Sequence, residues 1–394
     1  MAGSVAKERD YKKFIHLIIM MALILFVGKI PPIGALTPLG MQTLGIFAGV
    51  VYGWSTLGMI LPSMVGVLAV GYLSGNTVVA SLNAAFGDRV TIILFWLFLT
   101  ASLVEQVGLA NYIAQWCVTR KFLAGRPWGI AIMFFLASVI IASTLNTFAA
   151  MVLMCGIFYS FCEKVGFKYG DKYPMLVLIG ILYACCVAGS ILPFVGLAVL
   201  VVSQLQNFLG LDINYVAYTI TQLIMVAFSL SIYLLVAKYI FRPDTSLIVK
   251  QQEQLFKDGV DPLTGQQKLV GCLIILMIVL LFLPELLPTT IPVIALIKNL
   301  DIAGVVMLVL ALYYVIMLGH KDVVSFPKMA KNLSWDTLFL MATIAPLSKA
   351  ISNPDAGILG FITESMSSLL SGMSPFLFIV AFFIVSSIIT QFAN

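Results

Sequence analysis

The chain has 394 residues, of which 61% are hydrophobic and 10% charged, with a formal net charge of +5. Soluble domains carry about 25% charged residues, so this composition excludes a soluble globular protein and leaves no room for a large soluble domain. With a mean hydropathy of +1.08, the chain is expected to be an all-α polytopic membrane protein whose first partner is the lipid bilayer, with no nucleic-acid partner.

The N-terminus is charged as far as Lys13 and then apolar, without a small-residue cleavage site. It reads as a cytoplasmic segment and an uncleaved first span over 1–30, not a signal peptide. At about twenty residues per crossing, spans fall near 14–30, 39–53, 57–73, 91–107, 176–203, 216–240, 268–287, 301–318 and 336–352. The polar stretch 241–268 reads as a loop, and so does 77–90. The organisation predicted is a first repeat over 31–215, connecting spans over 216–290 and a second repeat over 291–394. None of the six cysteines forms a C-x-x-C pair, and only His16 and His320 are present, so no metal cluster is expected.

Lys and Arg concentrate in cytoplasmic loops, which tests the stretch 128–162. If it crossed once, Lys164, Lys168 and Lys172 would face outside. If it enters and folds back, they stay inside with Arg120, Lys121 and Arg126. The second arrangement leaves only Lys29, Arg89 and Lys298 in outside loops, with Lys238 and Lys349 near span ends. The charge count therefore favours a re-entrant hairpin and a cytoplasmic N-terminus.

The fold-back coincides with a polar interruption, Ser143-Thr144-Leu145-Asn146-Thr147. A second interruption, Thr390-Gln391-Phe392-Ala393-Asn394, ends the stretch 374–394. The segments before them also correspond. Gly87-Asp88-Arg89-Val90-Thr91 resembles Ser334-Trp335-Asp336-Thr337-Leu338, and Ala101-Ser102-Leu103-Val104-Glu105 sits where the second half has Ala345-Pro346-Leu347-Ser348-Lys349. Mixed segments, 108–127 and 353–374, then precede each hairpin and read as interfacial. Because the first hairpin enters from inside and the second from outside, the expected architecture is one of inverted-topology repeats with two re-entrant helical hairpins. Paired breaks of this kind point to a transporter binding site. A third break is expected at Ala188-Gly189-Ser190-Ile191-Leu192-Pro193, inside a stretch too long for one crossing.

No charged side chain falls in the middle of a span by this count; Glu105, Glu285 and Lys349 lie near ends. The site must then be built from hydroxyls, amides, carbonyls and helix ends. Tip carbonyls with Ser143, Thr144 and Asn146 suit a hard cation such as sodium. Half-helix N-termini with Asn146 and Thr147 suit the oxygens of an anion. Without a mid-membrane acid, coupling to sodium is expected in place of protons.

These features resemble the divalent anion/sodium symporter family, the dicarboxylate, citrate and sulfate carriers of the ion transporter superfamily. The resemblance covers almost all the chain, and Pro32-Ile33-Gly34-Ala35-Leu36-Thr37-Pro38-Leu39-Gly40 through Trp54 is similar to the family's opening segment. Ser334-Trp335-Asp336-Thr337-Leu338 resembles the family's second-repeat opening. The family's Ser-Asn-Thr tip signature reads Leu145-Asn146-Thr147 here, and the second tip keeps a similar lead-in at Thr390-Gln391-Phe392. The resemblance implies sodium at each tip, with Gly189, Thr390 and Ala393 among its ligands. It also implies an anion between the two tips, touched by Asn146, Thr147, Ser190 and Asn394. The run Ser190-Ile191-Leu192-Pro193-Phe194-Val195-Gly196 departs from the family's Gly-Thr-Pro-Pro-Asn-like segment, which leaves the substrate class open. The register leaves open whether Asn394 matches the signature Ser or its Asn. Since the sequence stops within the second hairpin, a fragment or a chain without a competent second half-site is a further expectation.

The chain carries no H-E-x-x-H or G-x-S-x-G motif and no paired intramembrane aspartates, so an enzyme is not expected and no cofactor is called for beyond the coupling ion. The reading is a sodium-coupled symporter of small divalent anions, a homodimer being compatible with it. The alternatives are a carrier of another ion, such as arsenite, in the same superfamily, and a non-transporting remnant.

Overall fold

A computed structural model describes residues 11–73, 77–118, 125–144, 147–168, 170–196, 198–210, 213–250, 262–288, 290–320, 323–370 and 373–392. Among them the regular structure is helical. The chain begins with α1 (Tyr11–Phe26), α2 (Pro38–Leu57), α3 (Ile60–Leu73), α4 (Val78–Phe86), α5 (Arg89–Gln106) and α6 (Leu109–Val118). The predicted hairpin follows as α7 (Pro127–Thr144) and α8 (Thr147–Val165), and the predicted break as α9 (Lys172–Ala188) and α10 (Ala198–Leu209). Then come α11 (Tyr215–Leu235), α12 (Ser246–Lys250), α13 (Gly265–Leu286), α14 (Pro292–Ile316), α15 (Phe326–Lys331), α16 (Trp335–Ile351), α17 (Ile358–Leu370) and α18 (Pro375–Phe392).

Seven helical stretches of the described residues are long and apolar enough to cross a bilayer: Tyr11–Lys29, Arg89–Gln106, Pro127–Thr144, Thr147–Val165, Tyr215–Phe241, Gly265–Leu286 and Pro292–Ile316. Shorter apolar helices accompany them. The chain is therefore a multi-pass membrane protein. Lipid offers backbone groups no partner, and helices satisfy theirs internally, which is why apolar stretches of this length close into helices.

The chain divides into two compact units, residues 1–92 with 334–394, and 93–333. In the first unit α1 lies along α2 on a stripe of Gly45, Gly49 and Gly53, four residues apart. A methyl group at Gly49 would sit 2.9 Å from the Met20 carbonyl oxygen, so only glycine allows this approach. Met20, Ile24, Ile46 and Val50 are buried at this contact, together with Val70 and Leu347. α16 packs on α3 and α4. There Thr343 Oγ1 donates to the carbonyls of Ser63 (3.2 Å) and Phe339 (2.9 Å), while Trp54 Nε1 donates to Ser63 Oγ at 3.0 Å.

In the second unit α7 is sandwiched by α6, α8 and α9, and α13 pairs with α14. Gln266 Nε2 donates to Tyr313 Oη at 3.0 Å and fixes the register of that last pair. The predicted span 301–318 starts sooner than expected, at Pro292. Its helix is broken at Asp301, whose φ of 56° and ψ of 177° are non-helical. Counted from the break, charges lie at the end of the span as the sequence count had it; counted as one helix, Lys298 and Asp301 lie within it. The stretch 77–90, predicted as a loop, contains α4, capped by Thr77 Oγ1 accepting from Ala80 N at 3.1 Å. Both mixed segments contain helices, α6 and α17.

Gly49→Leu should force α1 away from α2. Overpacking of this kind costs about 1–3 kcal/mol, read as a lower melting temperature in detergent. Gly156→Ala is the control, because a methyl there would meet nothing within 4 Å; its melting temperature should stay or rise.

Candidate functional site

α7 and α8 are joined through residues 145 and 146 and run antiparallel. Phe134 and Phe158, each twelve residues from position 146, meet edge-on with centroids 4.9 Å apart. At about 1.5 Å per residue, arms of 18 and 19 residues span roughly 27–28 Å and return the chain to the side from which it came. The base of the hairpin is tied to α9, where Tyr173 Oη donates to the Pro127 carbonyl at 2.6 Å. Phe135 lies over Gly180, where any Cβ would collide with its ring.

The last turn of α7 ends on two hydroxyls. Ser143 Oγ donates to the Ile140 carbonyl at 3.0 Å. Thr144 Oγ1 donates to the Ile140 and Ile141 carbonyls, both at 3.1 Å. These bonds spend the O–H protons on the helix's own carbonyls. The oxygen lone pairs that remain are acceptors, the form in which a hydroxyl ligates a cation.

The break after α9 is real and wide: helix stops at Ala188 and resumes at Ala198. Short turns replace it, with Ser190 N donating to Val187 O (3.3 Å), Ile191 N to Ala188 O (3.1 Å) and Val195 N to Leu192 O (3.3 Å). Gly196 sits at φ +57°, a left-handed conformation that favours glycine. Ser190 Oγ donates to Val187 O at 2.8 Å, and the Ser190 carbonyl accepts from Tyr218 Oη of α11 at 3.0 Å.

Both breaks meet. A methyl placed on Gly189 would lie 3.1 Å from Thr147 Oγ1, and one on Gly196 would lie 3.7 Å from the Gly189 carbonyl oxygen. The structure thus brings Thr147, at the start of α8, against Gly189, with Ser190 beside it and Ser143 and Thr144 ending the preceding arm. The negative end of the α7 dipole and the positive end of the α8 dipole fall at one point. Such a junction offers acceptors to a cation and backbone donors to an anion.

Other predicted site residues are not placed. Asn146, Ala393 and Asn394 lie outside the described residues. Thr390 and Gln391 are in the last turn of α18, with side chains outside the description. Counted from the prolines that open α7 and α18, Asn146 is 146 − 127 = 19 residues past Pro127 and Asn394 is 394 − 375 = 19 past Pro375. Tyr218 was missed by sequence reasoning, although it shares the opening turns of an apolar span with Thr219, Thr221 and Gln222, a polar cluster that could have flagged it. Gln206 Oε1 and Thr219 Oγ1 are buried with no hydrogen-bond partner among the described residues.

Thr147→Cys with Gly189→Cys, in a background without the native cysteines, should form a disulfide, since a Cβ on residue 189 would lie 3.1 Å from Thr147 Oγ1, the position that the sulfur of a cysteine at 147 would take. A protease site inserted in the turn 166–170 reads the result. After cleavage, non-reducing gels should keep the pieces together and reductant should release them; pieces that separate without reductant contradict the juxtaposition.

The family model described as CitMHS, citrate transporter, matches residues 12–394. No curated protein matches the chain.

Proposed function

This chain belongs to the citrate transporter family, and from that premise we propose that it is a sodium-coupled carrier of citrate and related small di- or tricarboxylate or sulfate anions, working by alternating access. It is a permease and not an enzyme. The observation that carries the finer reading is the junction of Thr147 with Gly189, where two interrupted helices supply a cation's acceptors and an anion's donors at one place. Sodium fits the donor set: carbonyl and hydroxyl oxygens are hard ligands, and Ser143 and Thr144 have already directed their protons elsewhere. Asn146 adds an amide whose oxygen suits the cation and whose NH₂ suits the anion. Asn394, Thr390 and Ala393 would form the counterpart at the second tip, a reading supported by the equal spacing of Asn146 from Pro127 and of Asn394 from Pro375. On this reading the repeats have inverted topology and the N-terminus is cytoplasmic.

Purified protein in proteoliposomes tests the coupling. Uptake of citrate, succinate and sulfate should follow an inward sodium gradient. Uptake driven equally well by a proton gradient without sodium would sink sodium coupling. Asn146→Ala should weaken sodium dependence and substrate affinity together. A lost buried hydrogen bond costs about 1–3 kcal/mol, roughly 5- to 150-fold in affinity. Asn146→Asp should retain cation binding but repel the anion. Unchanged affinities in both variants would make Asn146 a packing residue.

Sidedness has its own measurement. Single cysteines at Lys164 or Lys168, labelled from outside in intact cells with an impermeant maleimide, should stay unmodified. Strong labelling would place that loop outside and reverse the assigned orientation.

A further inference from the structure

At the C-terminal end of α16 a cavity of about 360 Å³ opens against the first turns of α2. Leu39 and Thr43 line it from α2; Lys349, Ala350, Ser352, Asn353 and Pro354 line it from the end of α16 and the segment beyond. Its frame is fixed by bonds between the two segments. Thr37 N donates to the Ala356 carbonyl at 3.2 Å, and Thr37 Oγ1 donates to the Asp355 carbonyl at 2.7 Å. Leu36, Met41, Ala356 and Ile358 form a buried cluster beneath. The cavity is therefore pre-formed and needs no closure of a loop to exist.

Its chemistry is one-sided. Lys349 is the charged residue of its lining, and among the described residues no carboxylate pairs with it. Asn353 Oδ1 accepts from Asp355 N at 3.0 Å, which leaves the amide NH₂ as the free function of that side chain. Thr43 Oγ1 donates to the Leu39 carbonyl at 2.9 Å and is spent as a donor. Ser352 is exposed and contributes a hydroxyl. An ammonium, an amide NH₂ and a hydroxyl at a small cavity whose walls are otherwise largely apolar are donors to an oxyanion. The lysine occupies the position that Glu105 holds in the matching segment of the first repeat, so this donor set has no like-charged counterpart there.

We propose that this cavity is a second anion site, built from residues other than those of the α7–α8 junction, which takes the carboxylate or phosphate group of a small oxyanion. Taking the cargo itself rests on the proposed function above; binding an oxyanion does not. Two sources share that chemistry, a free carboxylate such as citrate and the phosphate of an anionic lipid. The bland role of Lys349, offsetting the C-terminal dipole of α16, predicts no ligand at all.

The test reads binding and not transport, so its failure is distinct from a failure of the carrier reading. The full chain, with native cysteines replaced and Ser352→Cys introduced, is placed in phosphatidylcholine nanodiscs that expose both faces. The introduced thiol is modified with an anionic and with a cationic methanethiosulfonate. A nearby fixed cation should favour the anionic reagent by about threefold or more at low salt. Lys349→Gln should abolish that preference and Lys349→Arg should keep it. Millimolar citrate or inorganic phosphate should slow the anionic reagent, and only when the cation is present. Slowing by phosphatidylglycerol discs in place of the free anions supports the site and names lipid as its source. The proposal is overturned if Lys349→Gln leaves the reagent preference unchanged, if no anion slows modification in either lipid, or if protection is equal with and without the lysine.

Discussion

Every break in a helix inside hydrocarbon must find partners for the backbone groups it releases, and this constraint shapes the second unit. Water is absent there, and an orphaned buried group costs about 1–3 kcal/mol. Between Ala188 and Ala198 the chain meets the demand with successive tight turns, each recapturing an N–H. Tyr218 closes the account by donating its hydroxyl to the Ser190 carbonyl. At the end of α7 the same task falls to Ser143 and Thr144, which bond back to carbonyls of the preceding turn. The polar residues that look costly in an apolar sequence are what make the breaks tolerable. With the protons of these hydroxyls turned inward, the oxygens that remain are acceptors, which is why the repair of a broken helix and the making of a cation site can use the same side chains.

The parts of this fold legible in the sequence are those with a signature in hydropathy or charge. Lys164, Lys168 and Lys172 argue for a fold-back at Asn146, and Phe134 against Phe158 agrees with it. Gly189 and Pro193 in an overlong apolar stretch predict a break, and the helix does stop at Ala188. What hydropathy does not see is backbone geometry within apolar sequence. The start of α14 at Pro292 and its break at Asp301 carry no compositional signal beyond two charges near a span end. The helix α4 hides in a loop because nine residues with a Thr77 cap are too short to register as a span. Tyr218 was passed over for another reason: its role depends on a carbonyl 28 residues away in sequence. That carbonyl is free to accept only because the chain unwinds around it.

Within the candidate site, the sequence named residue types without being able to say which of them touch. Gly189 and Thr147 are 42 residues apart (189 − 147), and their proximity follows from the packing of α8 on α9. That packing in turn depends on small side chains, such as Gly180, that let α7 and α9 close on each other. The register of the second tip stayed open in the sequence because few side chains are identical between the repeats, and Ala393 and Asn394 lie outside the described residues.

The arrangement also constrains how coupling can work. A cation held by the α7 end and an anion held by the α8 start would share one junction, within reach of each other's field. At a separation of about 4 Å and an effective dielectric of about 20, opposite unit charges would attract by about 4 kcal/mol. On the proposed reading, occupancy of one site would raise affinity at the other, and by linkage the effect would be reciprocal: whatever factor sodium lent the anion, the anion would lend sodium. A carrier so built needs no titrating carboxylate at the junction to couple its cargo to an ion gradient. On the proposed reading, two interrupted helices, repaired by hydroxyls that keep their lone pairs, would suffice.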